Sequence, residues 1–206
     1  MERAERKEKE FHRRRTDILG QAEKVFAAKG FYGTTVAEIA GASGYAVGTI
    51  YHFFEGKEDL FTAMITEKME AMYSEIRRAA EREKSTTGKI RALVSAQFRF
   101  VEKNREFCAI FIRRERTVFS EGNDALKKKI IVDYMDHISY LESVLSEGVS
   151  GGFLRQIPPR STAFALAGMI NSFIVSWMYT PGDEPLSSKA DSLLDIFLKG
   201  AGIHEL

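Results

Sequence analysis

The sequence predicts an all-α protein. Apolar residues recur every three to four positions along most of the 206 residues, β-branched alternation is scarce, and Gly, Pro and Ser make only short interruptions. The predicted helices cover residues 5–29, 35–42, 46–52, 57–82, 87–103, 105–118, 123–148, 160–179 and 187–200.

Short polar segments separate the later helices. Residues 85–88 end a long charged helix and begin the next one, and residues 121–124 precede another helix. Residues 150–152, Ser-Gly-Gly, break the chain before Phe153. Because Gly and Ser favour turns, these segments are the expected joints of a helical bundle.

Residues 34–54 predict two short helices joined by a glycine turn. Thr35 stands three residues before Glu38, the spacing of a capping box that begins a helix. Gly44 supplies the positive φ that a sharp turn between helices requires. The segment therefore has the pattern of a helix-turn-helix, although a tight αα-hairpin in any helical protein is an alternative.

The second short helix has an apolar side and an exposed side. Ile50 and Phe54 are expected in the core. The remaining side chains are small enough at the N-terminal end of the helix to enter a DNA major groove. The exposed set is Val47, Gly48, Thr49, Tyr51 and His52.

Residues 13–65 resemble the DNA-binding domain of the tetracycline-repressor (TetR) family. The resemblance extends upstream through Ile18, Ala22, Phe26 and Gly30 and downstream through Gly56-Lys57-Glu58-Asp59-Leu60. It implies phosphate contacts from Thr35, Tyr51 and Lys57, and base contacts from Val47, Gly48, Thr49 and His52. A lysine at a helix N-terminus independently favours an anion.

Two positions depart from the family pattern. Tyr45 stands where a small aliphatic residue is common, and Ala46 stands where a serine often caps the reading helix. That helix also lacks Arg, Lys, Asn and Gln, which make the strong bidentate contacts to bases. We therefore expect specificity from thymine-methyl contacts of Val47, from His52 and from DNA shape.

The N-terminus is rich in charge. Arg13, Arg14 and Arg15 lie nearest the motif, and four glutamates are interspersed among the upstream basic residues. The segment is either an arm for phosphate or the minor groove, or a solvated, partly disordered helix extension.

Composition restricts the class of protein. Net charge is +1, and the single Cys108 excludes an intramolecular disulfide and fits a reducing cytoplasm. No secretory signal and no metal-site or cofactor motif is evident. The uncharged residues 161–180 match a membrane span in length, but Asn171 and flanking prolines favour a buried interface helix instead.

The resemblance also implies an effector pocket and a dimer interface in the larger part of the chain. For any single apolar residue there, ordinary core packing is the alternative. The candidate pocket residues are Gln97, Phe98, Val101, Phe111, Tyr134, His137, Asn171, Phe173 and Trp177. The last two helices are expected to pair with a second copy, with residues such as Ala163, Ala167, Ile170 and Ile174 packing closely. The alternative is that both helices belong to the internal core of a monomer.

The sequence thus predicts two domains: residues 1–55, an N-terminal basic arm with a three-helix helix-turn-helix DNA-binding domain, and residues 56–206, a helical effector-binding and dimerisation domain. The predicted function is a cytoplasmic homodimeric transcriptional repressor. Its partners would be a near-palindromic double-stranded operator and a small, largely apolar effector, with no membrane partner.

The alternative is a helical enzyme or small-molecule carrier that contains a fortuitous hairpin. The sequence shows no catalytic constellation to support it. Cys108 has no evident base, and the histidines are scattered along the chain at His12, His52, His137 and His204.

Overall fold

The computed structural model describes residues 2–112, 124–180, 182 and 184–201, with backbone alone at 2, 3, 111, 112 and 201. These residues form helices without a strand, which confirms the all-α prediction. The α-helices are α1 (Glu2–Lys29), α2 (Val36–Ser43), α3 (Val47–Phe53), α4 (Lys57–Glu81), α5 (Thr86–Lys103), α6 (Arg105–Ile112), α7 (Asp124–Ser150), α8 (Pro159–Tyr179) and α9 (Ala190–Ala201).

Most predicted helix boundaries lie within three residues of those observed, and two regions need separate comment. Residues 113–118, predicted to continue α6, lie outside the described residues. The predicted last helix begins instead as a 3-10 turn, Leu186–Lys189, before α9. The Glu102 carboxylate accepts a hydrogen bond from the Ser187 amide at 2.6 Å, which fixes the start of that turn.

The chain divides into two compact units. The first comprises Met1–Lys68 and Glu106–Lys127, and the second comprises Met69–Arg105 and Lys128–Leu206. The first turns of α4 therefore pack with the helix-turn-helix. The functional boundary between residues 55 and 56 remains a prediction.

Several aromatic residues cluster in the core of the first unit. Phe26 and Phe61 meet edge to face with ring centroids 4.9 Å apart, and Phe31 meets Phe61 at 5.1 Å. Ile18 and Ile39 are fully buried beside them. Each such side chain contributes about 1.5–3 kcal/mol by leaving water. The aromatic contacts thereby join α1, the segment after it and α4.

Close helix packing marks the second unit. A Cβ at Gly148 of α7 would lie 2.7 Å from Thr86 Cγ2 at the start of α5 and 2.8 Å from Leu154 Cδ1. Because real Cβ atoms do not approach so closely, a larger residue at Gly148 would force the side chains of Thr86 and Leu154 to shift. Ile90 and Leu93 of α5 are fully buried in the same unit.

Helix α8 is apolar on two faces. It is long and apolar enough to span a membrane by length and composition, but a single helix of this kind also occurs in soluble cores. The four residues expected to face a second copy are buried within the protomer instead, which corrects that assignment. They are Ala163, Ala167, Ile170 and Ile174.

The opposite face of α8 is exposed and uncharged. The sequence could not distinguish the two faces, because α8 carries no charge after Arg160. The exposed set is Phe164, Ala165, Gly168, Asn171, Ser172, Val175 and Tyr179, which we call the outer face of α8.

Candidate functional site

The turn between α2 and α3 has the predicted geometry. Gly44 adopts φ 73° and ψ 17°, and its amide donates to the carbonyl oxygens of Ala40 and Gly41. A Cβ at Gly44 would meet nothing within 4 Å, so the backbone conformation alone requires glycine. Tyr45 follows, and its hydroxyl donates to Asp17 Oδ2 at 3.3 Å, which links the turn to α1.

A capping box begins α2, as predicted. The Glu38 amide donates to Thr35 Oγ1 at 3.2 Å, and the Thr35 amide donates to Glu38 Oε2 at 2.8 Å. The Lys29 ammonium lies 2.5 Å from Glu38 Oε1. Hydrogen bonds from Lys29 and then Thr35 lower the pKa of Glu38 to about 2. Thr35 remains exposed, but its hydroxyl already makes hydrogen bonds with Glu38 in the capping box.

Helix α3 is held on one side and open on the other. Ile50 and Phe54 are buried. Val47 is 40% exposed and Tyr51 is 55% exposed. Ala46 caps the helix without a side-chain hydrogen bond, as its apolar side chain requires.

The rest of the open side is small or polar. Gly48 and His52 are exposed, and Thr49 is half-buried. A Cβ at Gly48 would meet nothing within 4 Å. The five residues predicted to face DNA therefore form one accessible surface on a short helix.

The N-terminal half of α1 lies beside α3. Phe11 is 41% exposed, and its ring centroid lies 4.6 Å from that of Phe53 and 6.3 Å from that of His52. A groove of about 410 Å³ separates the two helices. It is lined by Lys7, Glu10, Phe11, Arg14, Gly48, Thr49, His52 and Phe53, and we call it the α1–α3 groove.

The role of Phe11 was missed from the sequence. The available signal was its position two turns before the buried Ile18, on the same helical face.

Two of the three arginines before the motif have partners within the first unit. Arg14 pairs with Glu10, one turn earlier on α1. Arg15 lies 2.5 Å from Glu67 Oε1, and its guanidinium lies 5.2 Å from the centroid of the Phe54 ring. Residues 2–15 are the N-terminal half of α1, and Arg15 helps to hold this half against Glu67 and Phe54.

Lys57 uses its ammonium group inside the protein. Its Nζ donates to the carbonyl oxygens of Phe31 and Thr34, each at 3.0 Å, and lies 4.4 Å from the centroid of the Phe31 ring. An ammonium group has three N–H donors, so two are engaged in these bonds. The side chain predicted to contact phosphate thus joins α4 to the segment between α1 and α2.

The predicted pocket residues of the second unit fall into separate contacts. Phe98 stacks on Phe173 with centroids 6.2 Å apart, and Tyr134 lies 6.4 Å from Phe164. Trp177 donates through Nε1 to the Glu184 carbonyl oxygen at 2.9 Å.

The other predicted pocket residues are more varied in position. Asn171 lies on the outer face of α8, whereas Val101 is buried and Gln97 is half-buried. The side chain of Phe111 lies outside the described residues.

His137 lines a polar cleft between α4 and α7. The cleft has a volume of about 280 Å³, and its lining includes Tyr73, Arg77, Asp133 and Tyr140. Burial, and then the charge of Arg77, lower the pKa of His137 to about 4, and burial raises the pKa of Tyr73. The two neutral rings stack with centroids 4.8 Å apart.

The same cleft contains a carboxylate with one free oxygen. Asp133 Oδ1 lies 2.7 Å from the Lys129 ammonium, which also lies 2.9 Å from Glu70 Oε1. Among the described residues, the buried Asp133 Oδ2 has no hydrogen-bond partner. The cleft is therefore more polar than the apolar pocket that the sequence predicted.

Cys108 and the histidines, which the alternative enzyme function would require, do not form a reactive centre in the described part of the chain. Burial, with a smaller effect of Glu23, raises the pKa of Cys108 to about 12, so its thiol stays protonated. No group of three or more metal-ligating side chains occurs among the described residues. His204 lies outside them.

Comparisons with known proteins agree with this architecture. The family model for bacterial regulatory proteins of the tetR family matches residues 18–64, and that for the tetracyclin repressor-like C-terminal domain matches residues 83–201. The fatty acid metabolism regulator protein of Bacillus subtilis is 24% identical over 188 residues, covering 91% of this chain and 94% of that protein. The transcriptional repressor KstR2 of Rhodococcus jostii is 24% identical over 195 residues, covering 91% and 90%.

Solved structures show the same fold. The fatty acid degradation regulator FadR from Bacillus halodurans superimposes with a TM-score of 0.79 at 23% identity, covering 91% of this chain and 95% of that one. FadR from Bacillus subtilis in complex with stearoyl-CoA gives 0.77 at 23% identity, covering 92% and 99%. The two family models together span both parts of the sequence. The chain therefore belongs to the tetR family of bacterial regulatory proteins, and it is a DNA-binding transcriptional regulator, not an enzyme.

Proposed function

We propose that the protein is a repressor that binds a near-palindromic DNA operator as a homodimer and responds to a small-molecule effector. One observation carries the proposal: the positive-φ turn at Gly44 presents the open side of α3 while Ile50 fixes its other side in the core. Such a helix enters the major groove with its N-terminal residues toward the bases.

Contacts to bases are assigned to the open side of α3. Val47 offers methyl groups to thymine, His52 offers ring nitrogens, and Gly48 allows the backbone to approach the groove. Thr49 donates from its hydroxyl. Because α3 contains no Arg, Lys, Asn or Gln, DNA shape adds to the discrimination between operators.

Contacts to phosphate are assigned to Thr35, Tyr51 and Lys57. Tyr51 is exposed and can donate directly from its hydroxyl. The ammonium of Lys57 is largely engaged with the carbonyl oxygens of Phe31 and Thr34, so we assign its contribution to its charge. The first amides of a helix lack partners within the helix, so the start of α4 can also donate to phosphate.

The outer face of α8 is the proposed dimer interface. It is uncharged and contains small residues at Ala165 and Gly168, which allow two helices to approach closely. Exposed Ile196 extends apolar surface to α9. A twofold axis makes such a surface self-complementary. To bind two half-sites in successive major grooves, the two copies of α3 in the dimer must be about 34–36 Å apart.

The effector is proposed to bind within the second unit. The stacked Phe98 and Phe173 supply apolar surface, and the cleft at His137 supplies polar groups. A relative binds stearoyl-CoA and another is named for ketosteroid regulation, so a long apolar molecule with a polar end fits this chemistry. Such a ligand controls DNA binding only if it prefers one of two protein conformations. These steps would occur in the cytoplasm, where the operator lies.

Selection from a random DNA library tests the proposal. We expect enrichment of a near-palindrome, a dimer by light scattering, and weaker or stronger operator binding when stearoyl-CoA is added. Failure to bind any duplex at low salt would reject the repressor function.

A further inference from the structure

We infer that the α1–α3 groove receives a sugar–phosphate strand of DNA, with Lys7 and Arg14 as its cations. This inference rests on the proposed DNA binding by α3, and it assigns the undecided N-terminal segment to the DNA interface.

The first step is the register of α1. Lys7, Phe11 and Arg14 follow one another at spacings of four and three residues, and the next residue of this face is the fully buried Ile18. The face that enters the core therefore continues outward along the N-terminal half of α1. Contact of Phe11 with Phe53 at 4.6 Å holds this half beside α3.

The second step is the supply of positive charge. Helix α3 contains no Lys or Arg, so the cations for phosphate must come from neighbouring elements. Arg15 and Lys57 do not line the groove, and their cationic groups lie against Glu67 and two carbonyl oxygens. Lys7 and Arg14 are the cations of the groove lining.

The carboxylate in the groove offsets one of these two positive charges and leaves the lining with an excess of one. Among the described residues that line the groove, Glu10 is the one acidic residue, and it pairs with Arg14. A guanidinium has five N–H donors, so Arg14 can keep Glu10 and also donate to a phosphate oxygen. Residues 2–15 carry seven basic and four acidic side chains, which gives the whole segment an excess of positive charge.

The groove also shares part of its lining with the exposed side of α3. Gly48, Thr49 and His52 belong both to the groove and to the surface assigned to base contacts. A strand in the groove would thus lie against α1 on one side while its bases meet α3 on the other. Thr49 can donate to the same backbone from its hydroxyl.

The salt dependence of DNA binding tests this inference with matched variants. Lys7→Ala and Lys9→Ala remove the same charge two residues apart, but only Lys7 lines the groove. Each is titrated by fluorescence anisotropy onto a labelled random-sequence duplex between about 50 and about 200 mM salt. The slope of log K against log salt should fall by about 0.9 per protomer for Lys7→Ala and stay unchanged for Lys9→Ala.

Arg14→Ala and Arg13→Ala form a second pair, with Arg13 outside the groove lining. Arg14→Ala should reduce the slope and Arg13→Ala should not, with equal melting temperatures for both. Equal effects within each pair would show diffuse attraction and overturn the inference, as would unchanged slopes for Lys7→Ala and Arg14→Ala. A wild-type protein that binds no duplex would instead refute the proposed function itself.

Discussion

The ammonium of Lys57 lies 4.4 Å from the centroid of the Phe31 ring and 3.0 Å from the carbonyl oxygen of the same residue. The Lys57 ammonium therefore donates a hydrogen bond to the backbone of Phe31 and also makes a cation–π contact with its ring. The second bond, to the Thr34 carbonyl oxygen, fixes the residue that precedes the cap of α2. The start of α4 and the start of α2 are thus stabilised by a single side chain.

Lys57→Met should reduce the stability of the protein as well as its DNA binding. Hydrogen bonds from charged donors contribute about 1.5–3 kcal/mol, so we expect a loss of about 2 kcal/mol in the free energy of unfolding. Urea denaturation measures it, with Lys24→Met at an exposed position of α1 as the control. A Lys57→Met variant as stable as wild type would refute the stabilising role of the Lys57 hydrogen bonds.

Gly48→Ala should separate stability from function. The new methyl group meets nothing within 4 Å, and alanine favours helix, so the free energy of unfolding should rise by about 0.5 kcal/mol. Operator affinity should fall, because the methyl occupies space that the DNA backbone or base edge needs. Gly20→Ala on α1, equally unobstructed, should stabilise the protein without affecting DNA binding. Unchanged operator affinity in Gly48→Ala would contradict the assigned role.

His137 should make the protein less stable in mild acid. Its pKa is about 4 when folded and about 6.5 when unfolded, so only the unfolded state takes up a proton between these values. The stability is complete above about pH 6.5 and decreases as the pH falls toward 4. Between pH 7 and pH 5, we expect a loss of about 2 kcal/mol that His137→Gln does not show. Identical pH dependence in urea denaturation of the two proteins would contradict the burial of a neutral imidazole.

The outer face of α8 offers a test of the proposed dimer. Val175→Lys should weaken dimerisation by about 100-fold or more, because an unpaired charge would be buried in each half of a twofold interface. Ile131→Lys, at an exposed apolar residue of α7, is the matched control and should remain dimeric. Analytical ultracentrifugation measures both dissociation constants. A dimer that tolerates Val175→Lys would place the interface elsewhere.

The helix-turn-helix could be predicted from the sequence because local chemistry determines it. The Thr35 and Glu38 cap and the positive φ of Gly44 depend on residues within a few positions of one another, and both are confirmed. The two faces of α8 could not be separated, because no charge identifies the solvent side. The partners of Lys57, 26 and 23 residues away in sequence, required the tertiary structure.

The second unit was less predictable for a related reason. Aromatic residues serve cores and pockets equally well, so composition could not show that Phe98 packs on Phe173 while His137 packs on Tyr73. The polar cleft also depends on Tyr73, which the sequence had not singled out. Only the packing of α4 against α7 brings Tyr73 to His137.

Methylation protection on the selected operator tests most directly whether α3 reads DNA through the major groove. Dimethyl sulfate modifies guanine N7 in the major groove and adenine N3 in the minor groove. We expect protection of guanine N7 in two segments about one helical turn, 10–10.5 base pairs, apart, and its loss in Gly48→Ala. Protection confined to adenine N3, or a pattern that Gly48→Ala leaves intact, would contradict the account.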